Sequence, residues 1–205
     1  MRVLIRADAS PTIGSGHIAR CLTLARVLRG QGSHVAFACR RLPGHRLEAL
    51  NAEGFETFAL PERYRDEDPL QAIESMLPWQ FDIDALGLLL DGQAPFDWII
   101  VDHYGLDHHW QTAARRWAHR IAAVDDLATR RYSVDLLLNQ NLSGLSENYA
   151  PLLPADCRTL LGPRYAMLRE EFRCPAIEIK PKARRVLVNF GGFDAAMQTH
   201  HAMQA

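Results

Sequence analysis

The chain has 205 residues, room for one good-sized domain or one and a fraction at about 100–200 residues per domain. Apolar residues make up 48% and charged residues 23%, which predicts a packed globular core and argues against disorder. A net charge of −1 argues against a dedicated nucleic-acid binder, which carries a basic surplus, and leaves room for a small anionic ligand held by a local patch.

Residues 2–7 (RVLIRA) read as a strand and 17–29 as a helix, with Ile18, Cys21, Leu22, Ala25 and Leu28 on one face. Gly30 and Gly32 end it. A strand over 34–39, a helix through LEALNAEG and a strand over 56–60 follow. Residues 66–90 are expected to hold one or two helices, broken near Pro78. DWIIVDHY (97–104) is apolar on both faces, as a buried parallel strand should be. Then come a helix over 107–118, strands over 120–126, 135–140 and 159–162, and a last strand over 182–192 that enters a glycine turn.

Strands alternating with helices predict an α/β fold with a Rossmann-like parallel sheet covered on both faces. Ligands gather outside the carboxyl ends of such strands. Residues 173–184 carry two prolines and mixed charge and read as a linker. The expected organisation is therefore a first domain over 1–172 and the truncated start of a second over 185–205.

Cys21, Cys39, Cys157 and Cys174 form no Cys-x-x-Cys pair and no zinc-ligand spacing. Cys21 and Cys39 read as buried free thiols, which fits a reducing, cytoplasmic setting. There is no charged-then-apolar leader, and no apolar run approaches the ~20 residues that span a bilayer, so no membrane partner is expected.

The candidate chemistry collects after three strands. Gly14, Ser15 and Gly16 let backbone N–H groups approach a ligand where a helix begins, and a helix N-terminus favours negative charge. The loop matches neither the dinucleotide fingerprint nor the P-loop. His17 follows it, where the dipole disfavours imidazolium. It is either a neutral general base or a capping, structural histidine.

Asp8 either caps a loop or orients His17 or a sugar hydroxyl. Asp102-His103-Tyr104 stands at the ligand edge, with one of the three expected to be structural. Asp125-Asp126 reads either as paired acids or, in preference, as a strand terminus and a helix or turn cap, with Arg130 or Arg131 neutralising one of them. Asn139 and Asn141 either bind an amide-bearing ligand or form a turn. The pairs His108-His109 and His200-His201 are not expected to hold a metal, because neighbouring residues on a helix point apart. Gly191-Gly192 before Asp194 forms either a second anion cradle or an ordinary strand–helix turn capped by Asp194.

The segments RADASPTIGSGHIARCLTLA, VDHYGLD, VDDLATRRYSVDLLLNQN, LLGPRYAMLREEF and VLVNFGGFD, taken in this order, resemble the UDP-2,4-diacetamido-2,4,6-trideoxy-β-L-altropyranose hydrolases of pseudaminic acid biosynthesis. The resemblance covers nearly the whole chain. It implies the N-terminal half of a glycosyltransferase-B-type fold, two Rossmann-like domains facing across a cleft, similar to the MurG glycosyltransferase. It also implies a metal-independent hydrolase without cofactor, in which water attacks the anomeric carbon with inversion and UDP leaves. The family's base falls on His17 and its sugar-site tyrosine on Tyr104, and most uridine and diphosphate contacts belong to the second domain. Two positions depart from the family pattern: Met197 stands in place of an asparagine, which weakens the second anion site, and Ala19 in place of a frequent methionine. A transferase of the same fold, or a non-catalytic sugar-nucleotide-binding module, are the alternative readings.

Overall fold

The computed structural model describes residues 1–62, 78–145, 148–172, 182, 184–190, 194 and 197–204. They fall into two compact units, Met1–Met167 and Leu168–Ala205.

The first unit is an α/β sandwich around a seven-stranded parallel sheet. Its elements in chain order are β1 (Arg2–Ala7), α1 (Gly16–Gly30), β2 (His34–Arg40), α2 (Leu47–Ala52), β3 (Glu56–Leu60), α3 (Trp79–Leu90), β4 (Phe96–Asp102), α4 (His108–Ala114), β5 (Ala118–Val124), β6 (Leu136–Asn139) and β7 (Arg158–Leu161). The strand order is β3-β2-β1-β4-β5-β6-β7, and every pairing is parallel. The order reverses between β1 and β4, so their carboxyl ends flank the point where a doubly wound sheet takes its ligand. Register places Ala7 beside Asp102 there.

Both faces of the sheet are apolar, which is why the strands read as continuous hydrophobic runs. Val3, Ile5, Phe37 and Cys39 pack with Ile18, Cys21 and Ala25 of α1 and Leu50 of α2. Leu4, Ala38, Ile99 and Ile121 pack on the other side with Leu86 and Leu90 of α3 and Trp110 of α4. Each large side chain so buried stabilises the fold by roughly 1.5–3 kcal/mol. A cavity of about 330 Å³ lies on the α1 side, lined by apolar side chains that include Trp98, Leu136, Leu160 and Met167.

One predicted boundary shifts. The helix expected over 107–118 ends at Ala114, a 3₁₀ turn at Arg115–Trp117 buries Trp117, and β5 begins at Ala118. The helix α3 begins directly after Pro78, in keeping with the break expected there; residues 63–77 lie outside the described set. Among the described residues, no helix is long and apolar enough to cross a membrane.

In the second unit the strand expected over 182–192 is absent from the described residues 184–190, a correction to the sequence reading. Val186 and Leu187 are 82% and 90% exposed. Apolar alternation makes a strand only when a neighbour takes its N–H and C=O groups, and among the described residues none pairs with this segment. The helix α5 (Gln198–Gln204) follows Asp194, whose carboxylate accepts the N–H groups of Gln198 and Thr199, both at 2.7 Å. Asp194 is thus the helix cap. Gly191, Gly192 and most of 173–184 lie outside the described residues.

Candidate active site

The loop after β1 folds on itself. The Gly14 N–H donates to the Ser10 carbonyl at 2.8 Å, and the Ser10 hydroxyl accepts the Ile13 N–H at 3.0 Å. Gly14 holds φ of +80°, a left-handed conformation that glycine adopts without strain. Ser15 is the N-cap of α1 and makes no side-chain capping bond. Gly16 is exposed, with open space where a side chain would stand.

His17 occupies the first turn of α1 beneath this loop and is 6% exposed. Its Nδ1 lies 2.6 Å from Oδ1 of Asp102, the last residue of β4. Burial alone would raise the Asp102 carboxyl. The hydrogen bonds from Arg20 and His17, with their charge, outweigh that and hold it at about 2. Asp102 is therefore an ionised acceptor, and His17 donates its Nδ1–H to it. The residue bonded to His17 Nδ1 is Asp102 and not Asp8, a correction to one of the roles considered for Asp8.

Arg20, one helical turn after His17, chelates Asp102. Its Nε donates to Oδ2 and its Nη2 to Oδ1, both at 2.6 Å. Nη2 also lies 3.1 Å from His17 Nδ1, and Nη1 reaches Oδ2 of Asp126 at 3.2 Å. Asp126 accepts the Tyr104 hydroxyl at 2.7 Å, and the Tyr104 ring stands edge-on to His17, centroids 4.8 Å apart at 78°. Burial first, then the bond to Asp126, pushes the Tyr104 phenol far above its ordinary value, so it stays a neutral donor. Asn141 is exposed at the rim, its Nδ2 3.5 Å from Asp126. The structure thus brings together His17, Tyr104, Asn141 and the Gly14–Gly16 loop. Sequence reasoning missed Arg20, although its i,i+3 spacing from His17 puts both on one helix face.

Asp8 sits deeper. Arg6 grips it with Nη1 at 2.6 Å and Nη2 at 2.8 Å, the Arg40 N–H donates to it at 2.7 Å, and His103 Nε2 lies 3.3 Å away. The same Arg6 bonds Asp82, which also takes Arg40 Nη2 at 2.6 Å and the Trp110 indole N–H at 2.9 Å. Burial opposes ionisation of Asp8, but the charge of Arg6 and the hydrogen bond from His103 hold it well below the usual carboxylate range. Asp8 is thus held within a buried network with Arg6, Arg40 and His103.

The turn reading holds for Asp125, which accepts the N–H groups of Leu127 and Ala128 at 3.0 and 2.9 Å and lies 3.1 Å from Arg130. Buried Asn139 donates to the Tyr149 hydroxyl at 3.0 Å and accepts the Asn141 N–H at 2.9 Å. The rings of His108 and His109 do not point apart as expected: their centroids are 3.9 Å apart, and His109 stacks on Trp79. Ligand atoms of Asp107, His108 and His109 lie within 4.8 Å of one another on the surface, a grouping common without a metal.

No model of a protein family matches this chain. Over 195 residues it is 31% identical to the UDP-2,4-diacetamido-2,4,6-trideoxy-beta-L-altropyranose hydrolase of Campylobacter jejuni subsp. jejuni serotype O:2, covering 95% of this chain and 61% of that protein. The chain therefore spans about three fifths of that relative's length. The resemblance read from the sequence holds across nearly all of it. Among solved structures, the MurG of Acinetobacter baumannii aligns with a TM-score of 0.45 at 12% identity, over 78% of this chain and 44% of that one.

Proposed function

We propose that this chain carries the base-bearing part of a UDP-sugar hydrolase that acts on UDP-2,4-diacetamido-2,4,6-trideoxy-β-L-altropyranose in the cytoplasm. The observation that carries the reading is the buried Asp102–His17 pair at 2.6 Å, set in the first turn of α1 under an open glycine loop. His17 Nε2 takes a proton from water as the oxygen attacks the anomeric carbon. The anomeric C–O bond breaks on the opposite face, the sugar inverts, and UDP leaves with the bond's electrons. UDP is a good leaving group, and backbone N–H groups can stabilise its departing charge without a metal. Tyr104 and Asn141 border the sugar, and Gly14, Ser15 and Gly16 leave room for it. In this reading residues 1–172 form the first half of a glycosyltransferase-B-type fold, 173–184 the linker, and 185–205 begin the nucleotide-binding half.

The test is release of UDP from that nucleotide sugar in ¹⁸O-water. The expected result is UDP free of label, with turnover lowered about 10²–10⁴-fold in His17→Ala. Undiminished turnover in that variant overturns the role of His17. UDP release that requires an added acceptor identifies a transferase, and binding without turnover identifies a non-catalytic module.

A further inference from the structure

His17 and the four groups around it close into a circuit: His17 to Asp102, Asp102 to Arg20, Arg20 to Asp126, Asp126 to the Tyr104 hydroxyl, and the Tyr104 ring back to His17. Its charge does not balance. One guanidinium serves two carboxylates, so the circuit carries one net negative charge while His17 is neutral and none once His17 is protonated. We propose that Arg20 and Asp126 are positioning residues that set the proton affinity of His17: Asp126, which does not bond the imidazole, supplies the counter-charge that lets His17 accept a proton, and Arg20 limits that affinity so the ring is neutral beforehand.

Among the described residues, the other groups that the structure places against this cluster add no net charge. From α1, the Cys21 thiol donates to Asp102 at 3.4 Å and is pushed far up by burial, so it stays neutral. After β4, the Tyr104 phenol stays neutral for the reasons given. Arg130, whose guanidinium carbon lies 5.9 Å from the centre of the Tyr104 ring, is paired with Asp125 at 3.1 Å. Asp8 and His103 belong to the deeper network with Arg6. The unbalanced carboxylate is therefore Asp126, at 15% side-chain exposure, against 13% for Arg20. Without Asp126, protonating His17 would leave a net positive cluster; without Arg20, two carboxylates would hold the proton on the ring and spoil the base.

The meaning for catalysis rests on His17 being the base, but the test does not need turnover. The imidazole of His17 is titrated by NMR in the whole chain with labelled histidine, assigned by its loss in His17→Gln. Asp126→Asn should lower the midpoint and Arg20→Gln should raise it, by about one pH unit for the nearer charge. Arg20→Lys, which keeps the charge, should leave it within a few tenths of a unit. Shifts in the same direction, or a Lys variant that moves as far as the Gln variant, overturn the proposal. Should Arg20→Gln fail to fold, an unmoved midpoint in Asp126→Asn overturns it alone. Absence of UDP release would remove the hydrolase reading and leave these shifts unchanged.

Discussion

Two charge clusters made of the same residue types stand near the carboxyl ends of neighbouring strands. Under β1, two arginines (Arg6, Arg40) meet two aspartates (Asp8, Asp82), with side chains at most 4% exposed. Under α1, one arginine meets two aspartates (Asp102, Asp126), and two of the three side chains are partly open to solvent. The first is balanced and sealed, so protonating any member leaves an uncompensated charge in the interior. The second is one cation short and has an imidazole at the gap. The contrast separates a cluster that holds the fold from one that can take up a proton.

The sharpest way to break this comparison is to unbalance the inner cluster. Arg6→Met strips the bidentate partner from Asp8 and one of two arginines from Asp82, and removing one partner of a buried ion pair costs about 3–5 kcal/mol. For a chain of this size that is a fall in Tm of roughly 10 °C, read by calorimetry. An unchanged Tm would mean that the inner cluster is not structural. Its pH signature has a definite sign. Both Asp8 and Asp82 are depressed in the folded state, so their contribution is complete above the unfolded carboxylate value near 4 and is lost as pH falls below it. The Tm of the wild type should hold from pH 7 to about 5 and fall below about 4.

A smaller effect tests the outer cluster at Tyr104. Tyr104→Phe removes the bond to Asp126 and keeps the ring against His17. A hydrogen bond to a charged group contributes about 1.5–3 kcal/mol, so kcat should fall by about tenfold or more. If KM rises and kcat does not fall, the hydroxyl serves the sugar and not the cluster.

How much of this was legible follows from where the partners lie in the chain. The sheet could be read because each central strand is buried on both faces and leaves an unbroken apolar run, as in WIIV at 98–101. The site's place followed from the rule that ligands sit at strand ends. Its wiring did not. Asp102 and Asp126 lie 82 and 106 residues from Arg20, and only the order β1-β4-β5 sets them side by side. Orienting His17 was only one of the roles open to Asp8, and Arg6, two residues earlier and on the same side of the extended chain, is the local sign that Asp8 is already paired. The segment over 184–190 shows the reverse limit. Its composition suits a strand, but a strand is a property of a pair.

The finest distinction lies within the glycine loop, where Gly14 and Gly16 look equivalent in sequence. A Cβ would meet nothing within 4 Å at either position, so crowding within the chain separates neither. Only Gly14 has a positive φ. Gly14→Ala should therefore destabilise by about 1–2 kcal/mol through the backbone alone. Gly16→Ala begins a helix with a better helix former and should leave stability unchanged or raise it by up to about 1 kcal/mol. Its methyl would stand in open space at the start of α1, where the proposed function brings sugar and water. Turnover of the nucleotide sugar should then fall about tenfold or more in a fully folded protein. If Gly16→Ala retains full activity, the space above His17 is not the path of the substrate, and the outer cluster loses its claim to differ from the inner one in kind.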